Sequence, residues 1–348
     1  MKIPQKQFKN AIEAVMPFVA SRSTMPILES IKVESNGAAI KFTATNLDAQ
    51  IEHSFECDGE SLSGCIDAAA LKKFAQFADE DISLTIKKGK AELKSGSAKA
   101  RLDVLDAKDF PLLQKTQSII AELDWAVVRE KIGFASLFCA ENDIRPVMNC
   151  VQITSSGTRI DIFGTNGLRL AMNDVAHIAP EFKVCIPIRS ARRMVGDYTS
   201  FVVREDQIEL RSTDTTAIFK LAPIKPTDGR RIVSSRLPDV GQVDRKSLLD
   251  AITFATAFHD GKLRSIVKIE SSEHNSVQLI GAGNEAATTF EYDGQKFSFS
   301  VYASDFIDAL KALDGEKVGF EFDSSSMETS QLRLLDDGRV ICALPVKV

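Results

Sequence analysis

The residues best suited to chemistry are few in this chain, and they do not converge. Its four histidines, His53, His177, His259 and His274, lie far apart in sequence, with no HExxH pair and no metal-ligand spacing. Its six cysteines, Cys57, Cys65, Cys139, Cys150, Cys185 and Cys342, are scattered, mostly through apolar stretches, and no CxxC occurs. Buried, reduced thiols are the expected state, which fits a cytoplasmic protein. GAGNEA at 281–286 has a faint likeness to a phosphate loop, but it lacks both GxxxxGK[ST] and the full GxGxxG. A turn at a strand end is the simpler reading. No GxSxG nucleophile elbow occurs. The chain therefore reads as one that binds rather than one that catalyses, with an undetected hydrolase or transferase as the enzyme-class alternative.

The elements that carry these residues recur. Arg145 to Ala171, RPVMNCVQITSSGTRIDIFGTNGLRLA, reads as two strands joined at Ser155-Ser156-Gly157, followed by a Gly-containing turn. Related stretches surround residues 26 and 265: Pro26, Pro146 and Ser265 are spaced by 120 and 119 residues. Phe42, Ile162 and Leu279 open the next strand of each copy, spaced by 120 and 117, and Ile66, Ile186 and Val301 precede a helix, spaced by 120 and 115. A period near 120 is too long for a solenoid and is the size of a domain. The expectation is an α+β protein of three tandem domains, 1–122, 123–238 and 239–348, each a helix pair packed on antiparallel sheet. Sheets that pair edge to edge suggest an arc, and an arc with open edges at both ends invites a second copy to close it.

Composition sets the outer bounds. The 348 residues are 44% hydrophobic and 26% charged, ordinary for a soluble globular chain, and the net charge is −5. That balance argues against a protein that coats nucleic acid through overall positive charge, but it permits a local basic surface. No apolar run approaches a membrane span, and the N-terminus looks like a strand entering an amphipathic helix rather than a signal peptide. Helices are expected over 6–19, 68–78, 125–138, 247–258 and 304–313, the last capped by Ser304 or Asp305. Ser190 to Val195 reads as a further helix, with Arg189, Arg192 and Arg193 at i, i+3 and i+4 on one face. Lys6, Lys9, Lys72 and Lys73 fall on the polar sides of theirs.

With TMPIL at 24–28, DFPLL at 109–113, RPVMN at 145–149, TNGLRLA at 165–171, GRRI at 229–232 and LPVKV at 344–348, the chain resembles the bacterial DNA polymerase III beta subunit, the processivity sliding clamp. The resemblance runs the full length, in order. It implies a homodimeric ring of three-domain protomers, with helices lining the hole and sheets outside, that encircles double-stranded DNA without sequence specificity. It also implies no catalysis and no cofactor. The partners implied are the DNA polymerase III alpha subunit, an ATP-driven clamp loader and other proteins carrying clamp-binding peptides. A divergent clamp paralogue, or a non-DNA scaffold with the same fold, is the alternative.

The same resemblance assigns candidate sites. Arg22 matches a DNA-contacting arginine, and Lys6, Lys9, Lys72, Lys73, Arg189, Arg192, Arg193, Arg245 and Lys246 lie on the helices that would face DNA. The second helix of the third copy is poorer in base, with Asp305, Asp308 and Lys311. Ala69 stands where the family has an arginine. An ordinary solvated helix face is the bland reading of these charges. A partner-peptide pocket maps to Met148, Thr165, Gly167, Leu168, Arg169, Leu170, Pro226, Arg231, Ile232, Cys342, Leu344, Pro345 and Val346, with apolar walls and arginines at the rim. Leu168 replaces a frequent histidine, and Leu344 and Val346 replace methionines, so the pocket should be less adaptable. The dimer seam maps to Leu102 and Phe258, with Ala100 where a larger apolar residue is usual. Lys90, Lys94, Lys99 and Arg101 would face Glu285, Glu291 and Asp293 across it.

Overall fold

The computed structural model describes residues 1–233, 236–259, 264–271, 275–280, 286–325 and 331–346. One order of elements recurs along the chain. It first runs β1 (Lys2–Ile3), α1 (Gln5–Val15), β2 (Ser30–Ser35), β3 (Ala39–Thr45), β4 (Ala49–Glu56), β5 (Leu62–Asp67), α2 (Ala68–Phe77), β6 (Ile82–Lys87), β7 (Lys90–Ser95) and β8 (Ala98–Leu105). The second pass is β9 (Ile119–Asp124), α3 (Trp125–Ser136), β10 (Cys150–Ser155), β11 (Arg159–Thr165), β12 (Arg169–Ala176), β13 (Phe182–Pro187), α4 (Ile188–Ala191), β14 (Ser200–Arg204), β15 (Gln207–Arg211) and β16 (Thr215–Lys220). After α5 (Gly229–Val233) the third follows: β17 (Asp239–Asp244), α6 (Arg245–Thr256), β18 (Ile266–Glu270), β19 (Ser276–Ile280), β20 (Ala287–Thr289), β21 (Tyr292–Gly294), β22 (Ser298–Tyr302), α7 (Ala303–Lys311), β23 (Lys317–Phe322), β24 (Leu332–Asp336) and β25 (Arg339–Ala343). Only β21 is extra.

Strand pairing repeats with it. One set of strands is ordered β5-β2-β3-β4, β13-β10-β11-β12 and β22-β18-β19-β20; the other is β1-β6-β7-β8, β9-β14-β15-β16 and β17-β23-β24-β25. All these pairings are antiparallel, and Ile31↔Ile66, Val151↔Ile186 and Val267↔Val301 are equivalent partners in the three copies. Pairing also crosses from copy to copy: β4 pairs with β16, and β12 with β25. The chain forms two compact units, Met1–Arg129 with Arg192–Ala222, and Glu130–Ala191 with Pro223–Val348. The strands of the second copy are divided between them, because β16, β15, β14 and β9 continue the sheet of the first copy past β4, while β13, β10, β11 and β12 join that of the third at β25.

The apolar faces meet as the helical and strand periods require. In the first unit Phe8 of α1 packs edge-on against Phe42 of β3 (6.0 Å) and Phe74 of α2 (6.4 Å), and Trp125 stacks on Phe201 at 6.2 Å. In the second, Leu248 and Ile252 of α6 and Phe306 and Leu310 of α7 join Phe299 and Phe320 of the sheets in one core. Each such side chain is worth about 1.5–3 kcal/mol on burial. Asp67 caps α2, accepting from the Ala70 N–H at 2.7 Å, and Asp244 caps α6, accepting from the Ser247 N–H at 2.7 Å.

Three expectations are corrected. The helix expected over 190–195 is only Ile188–Ala191. The Val195 N–H turns back to the Arg193 carbonyl at 2.8 Å, Gly196 follows at φ +134°, and the Trp125 indole donates to the Gly196 carbonyl at 3.2 Å, so the chain leaves the helix to be held by Trp125. α7 has Tyr302 at its N-cap, with Ser304 and Asp305 already inside the first turn. The third-copy counterpart of Phe42 and Ile162 is Val277, not Leu279: Val33 faces Phe42 and Ile153 faces Ile162 as Ile269 faces Val277. A slip of two keeps side chains on the same face of a strand, so the hydrophobic pattern does not detect it.

Candidate partner groove and nucleic-acid surface

The groove grows from the β11–β12 turn. Thr165 Oγ1 donates to the Arg169 carbonyl at 2.7 Å and accepts from the Gly167 N–H at 3.0 Å. Asn166 Oδ1 accepts from the N–H groups of Leu168 and Arg169, both at 3.0 Å. Gly167 has φ +87°, and a Cβ there would come within 2.6 Å of the Arg145 guanidinium. The same turn occurs in the first copy, where Thr45 and Asn46 make equivalent bonds and Leu47 takes the positive φ of 73° without the relief of glycine.

Beyond the turn, β12 pairs with β25 so that Leu170 faces Cys342, and the Leu344 N–H donates to the Leu168 carbonyl at 3.0 Å. Leu168 and Leu170 alternate with Arg169, as Cys342 and Leu344 do with Ala343, so the four apolar side chains share one face. Leu170 and Cys342 form its buried floor with Phe163 and Met172, and Val233 and Val340 pack against them. Burial pushes the Cys342 thiol up to about 11, so it serves as a neutral apolar group. Leu168, Ile232 and Leu344 are 43%, 46% and 48% exposed. Large apolar side chains above an apolar floor are what an inserting peptide side chain needs.

The other expected pocket residues are dispersed. The Arg169 side chain does not reach the rim. It lies on the opposite face, over the Phe138 ring (5.1 Å), donating to the Asp305 carbonyl (3.2 Å) and the Asp308 carboxylate (3.2 Å), as alternation along β12 demands. Thr165 is buried in the turn. Met148 sits in a single 3-10 turn, Pro146–Asn149, where its carbonyl accepts from the Ala140 N–H at 2.8 Å. Pro226 borders a separate polar cavity of about 180 Å³ with Thr154, Asp161, Phe163 and Gly229. Arg231 is exposed on α5, Pro345 is half-buried, and the Val346 N–H donates to the Ser300 carbonyl at 2.8 Å. Phe163, Met172, Val233 and Arg145 were missed. Phe163 faces Met172 in register, two residues from the Thr165–Leu170 pair, so strand alternation could have found both. Arg145 overlies Gly167 and donates twice to Asp143, whose carboxyl these bonds hold down to about 2.

The basic residues divide as well. Lys6 on α1 and Lys72 and Lys73 on α2 are exposed, Lys9 is half-buried, and α1 packs against α2. Arg22 is exposed at φ +56° in a loop fastened by the Ser23 N–H, which donates to Glu29 at 2.8 Å. Arg189 is exposed on α4, whereas Arg192 and Arg193 follow the helix end, so the three do not form a helical row. Arg193 borders a cavity of about 360 Å³ with Asn10, Glu13 and His53. Arg245 is spent on packing, donating to the Gly315 and Leu310 carbonyls at 2.7 and 3.4 Å, while Lys246 is exposed. Leu102 is half-buried on β8, and Phe258 is 46% exposed, edge-on to Phe254 at 5.1 Å. Lys90 and Arg101 pair within the first copy, with Asp103 and Glu92, and Glu285 lies outside the described residues.

Comparison with known proteins bears on the whole of this architecture. The solved beta subunit from DNA polymerase of Streptococcus pyogenes matches with a TM-score of 0.91 at 19% identity, covering 100% of this chain and 99% of that one. The Pseudomonas aeruginosa DNA polymerase sliding clamp solved with ligand matches at 0.90 and 19%, with the same coverage. This is the sliding-clamp fold. Residues 1–114 match the family model of the DNA polymerase III beta subunit, N-terminal domain. The beta sliding clamp of Bacillus subtilis (strain 168) is 23% identical over 386 aligned residues, covering 99% of this chain and 98% of its own. That of Caulobacter vibrioides (strain NA1000 / CB15N) is 24% identical over 380, covering all of both. The resemblance to the beta subunits therefore holds from end to end. Among the described residues of this clamp fold, no group of three His, Cys, Asp or Glu side chains is placed to hold a metal ion, and no helix is long and apolar enough to cross a membrane.

Proposed function

We propose that this protein is a DNA sliding clamp, closing as a homodimer around duplex DNA and tethering the replicative polymerase and other clients through the groove at Leu168, Leu170, Cys342 and Leu344. Closure is supported by two leftover strand edges. β4 takes up β16 and β12 takes up β25, each the last strand of the following copy. β20, the equivalent of β4 and β12, has only β19 beside it, and Ala98–Asp103 of β8, the equivalent of β16 and β25, pairs only with β7 among the described residues. A second protomer supplies both missing partners head to tail, and two such joints close a ring. Leu102 on β8 and the exposed pair of Phe254, on α6, and Phe258, just beyond its end, are the apolar candidates at that joint.

The division into three domains follows the repeat. A boundary after 122 would run through β9, so the first domain ends before Ile119; the third begins with β17 at Asp239. The protein does no chemistry itself. Lys6, Lys9, Lys72, Lys73, Arg22 and Arg189 meet phosphates without reading bases, weakly enough to slide. A clamp loader opens the ring with ATP, and the polymerase alpha subunit and other peptide-bearing clients share the groove. Light scattering over a concentration series tests closure. A dimer mass supports it, and a strict monomer at high concentration refutes it.

A further inference from the structure

Val233, packed against the apolar floor, and the exposed Ile232 beside it belong to a five-residue helix, α5, too short to hold its own shape. Its place is set by polar side chains from both flanking copies. On one side Arg230 donates through Nε to Asp161 Oδ2 at 2.9 Å, and through Nη2 to Asp161 Oδ1 and Asp174 Oδ2, both at 2.6 Å. The fully buried Gln152 accepts from the Thr227 N–H at 2.7 Å. On the other side Arg333 and Gln331 both donate to the Ile232 carbonyl at 3.0 Å, and Arg333 also meets Glu321. Gly229 seals the start of the helix, where a Cβ would come within 2.8 Å of the Phe163 ring.

We propose that Arg230 is a positioning residue for the groove. Through Asp161 and Asp174 it holds α5 so that Ile232 and Val233 wall the apolar slot above Leu170 and Cys342, and so sets partner affinity without touching the partner. The proposal rests on the groove reading above. Arg230 spans two carboxylates, on β11 and β12, with its guanidinium fork, which a lysine, as a point charge, cannot do in the same way. It is also half-exposed, so its removal opens no buried hole, unlike loss of Arg333 or Gln152.

The test uses the full-length protein and a labelled peptide with adjacent leucine and phenylalanine, read by fluorescence anisotropy and stopped flow. Arg230→Ala is expected to weaken binding roughly tenfold, mainly through faster dissociation, and Arg230→Lys to recover only part of it. In an Ile232→Ala background, Arg230→Ala should add less than about twofold, because its effect passes through that wall. A merely structural role would instead lower thermal stability and add fully to Ile232→Ala. If Leu168→Asp abolishes binding while Arg230→Ala binds normally or acts additively, the positioning role is wrong and the groove stands. If wild type does not bind, or Leu168→Asp binds as wild type does, both fall.

Discussion

The Leu344 N–H donates to the Leu168 carbonyl at 3.0 Å, and one copy earlier the Lys220 N–H makes the same bond to the Asp48 carbonyl at 2.9 Å. The two joints share a backbone and differ in chemistry. At the first, Gln50 stands where Leu170 stands at the second, and its Oε1 is taken by the Leu113 N–H at 2.8 Å. Apolar partners should therefore enter only the second joint. Leu168→Asp or Leu344→Asp should weaken binding of the apolar peptide by more than about tenfold, while Asp48→Ala and Lys220→Ala leave it unchanged. Equal losses at both joints would contradict the assignment.

The exposed bases on α1 and α2 should act through charge alone. Lys72→Glu with Lys73→Glu should weaken retention on DNA equally for any sequence. Each phosphate left without its lysine should reduce the slope of log affinity against log salt by about 1. Filter binding across a salt series measures this, and a salt slope unchanged from wild type would place these lysines away from DNA.

Phe258 is half-exposed beside Phe254, and Leu102 lies on the strand with the open edge. Phe258→Glu or Leu102→Glu should convert a dimer to a folded monomer, seen as a halved mass by light scattering with an unchanged circular dichroism spectrum. A dimer that survives both would move the seam elsewhere.

Glu209 gives an acid limit to stability. Burial would raise its pKa, but hydrogen bonds from Arg211 and Arg204 and the nearby Lys115 overturn that, holding it at about 2 against 4.5 for an ordinary glutamate. A carboxylate held down in the fold stabilises fully above its unfolded pKa, and that contribution is lost as pH falls through the folded one. Stability should therefore drop between pH 4.5 and about 2. Glu209→Gln should flatten that drop while costing about 3 kcal/mol near neutral pH, since it strands the buried Arg204. Urea unfolding at a series of pH values would show it, and parallel curves for the two proteins would refute it.

The repeat was legible because buried strands carry their alternation into the sequence: Ile31, Val151 and Val267 recur at nearly constant spacing and take equivalent partners. What alternation cannot separate is a slip of two, which is how Leu279 stood in for Val277. The arginines from 189 to 193 have helical spacing, yet the capture of Gly196 by Trp125 lies outside that window and ends the helix early. Arg169 is the reverse case. Its place between Leu168 and Leu170 already put it on the opposite face, and the resemblance to the beta subunits drew it into the pocket. The copy-to-copy ladders, β4 with β16 and β12 with β25, join residues more than 150 apart and leave no local trace.

The most direct measurement compares retention on nicked circular DNA before and after linearisation, with the protein incubated with a clamp loader and ATP and then gel-filtered in high salt. A closed ring held by topology stays on the circle and leaves once the duplex is cut. Protein that persists on the linear DNA, or washes from both forms alike, would contradict encirclement.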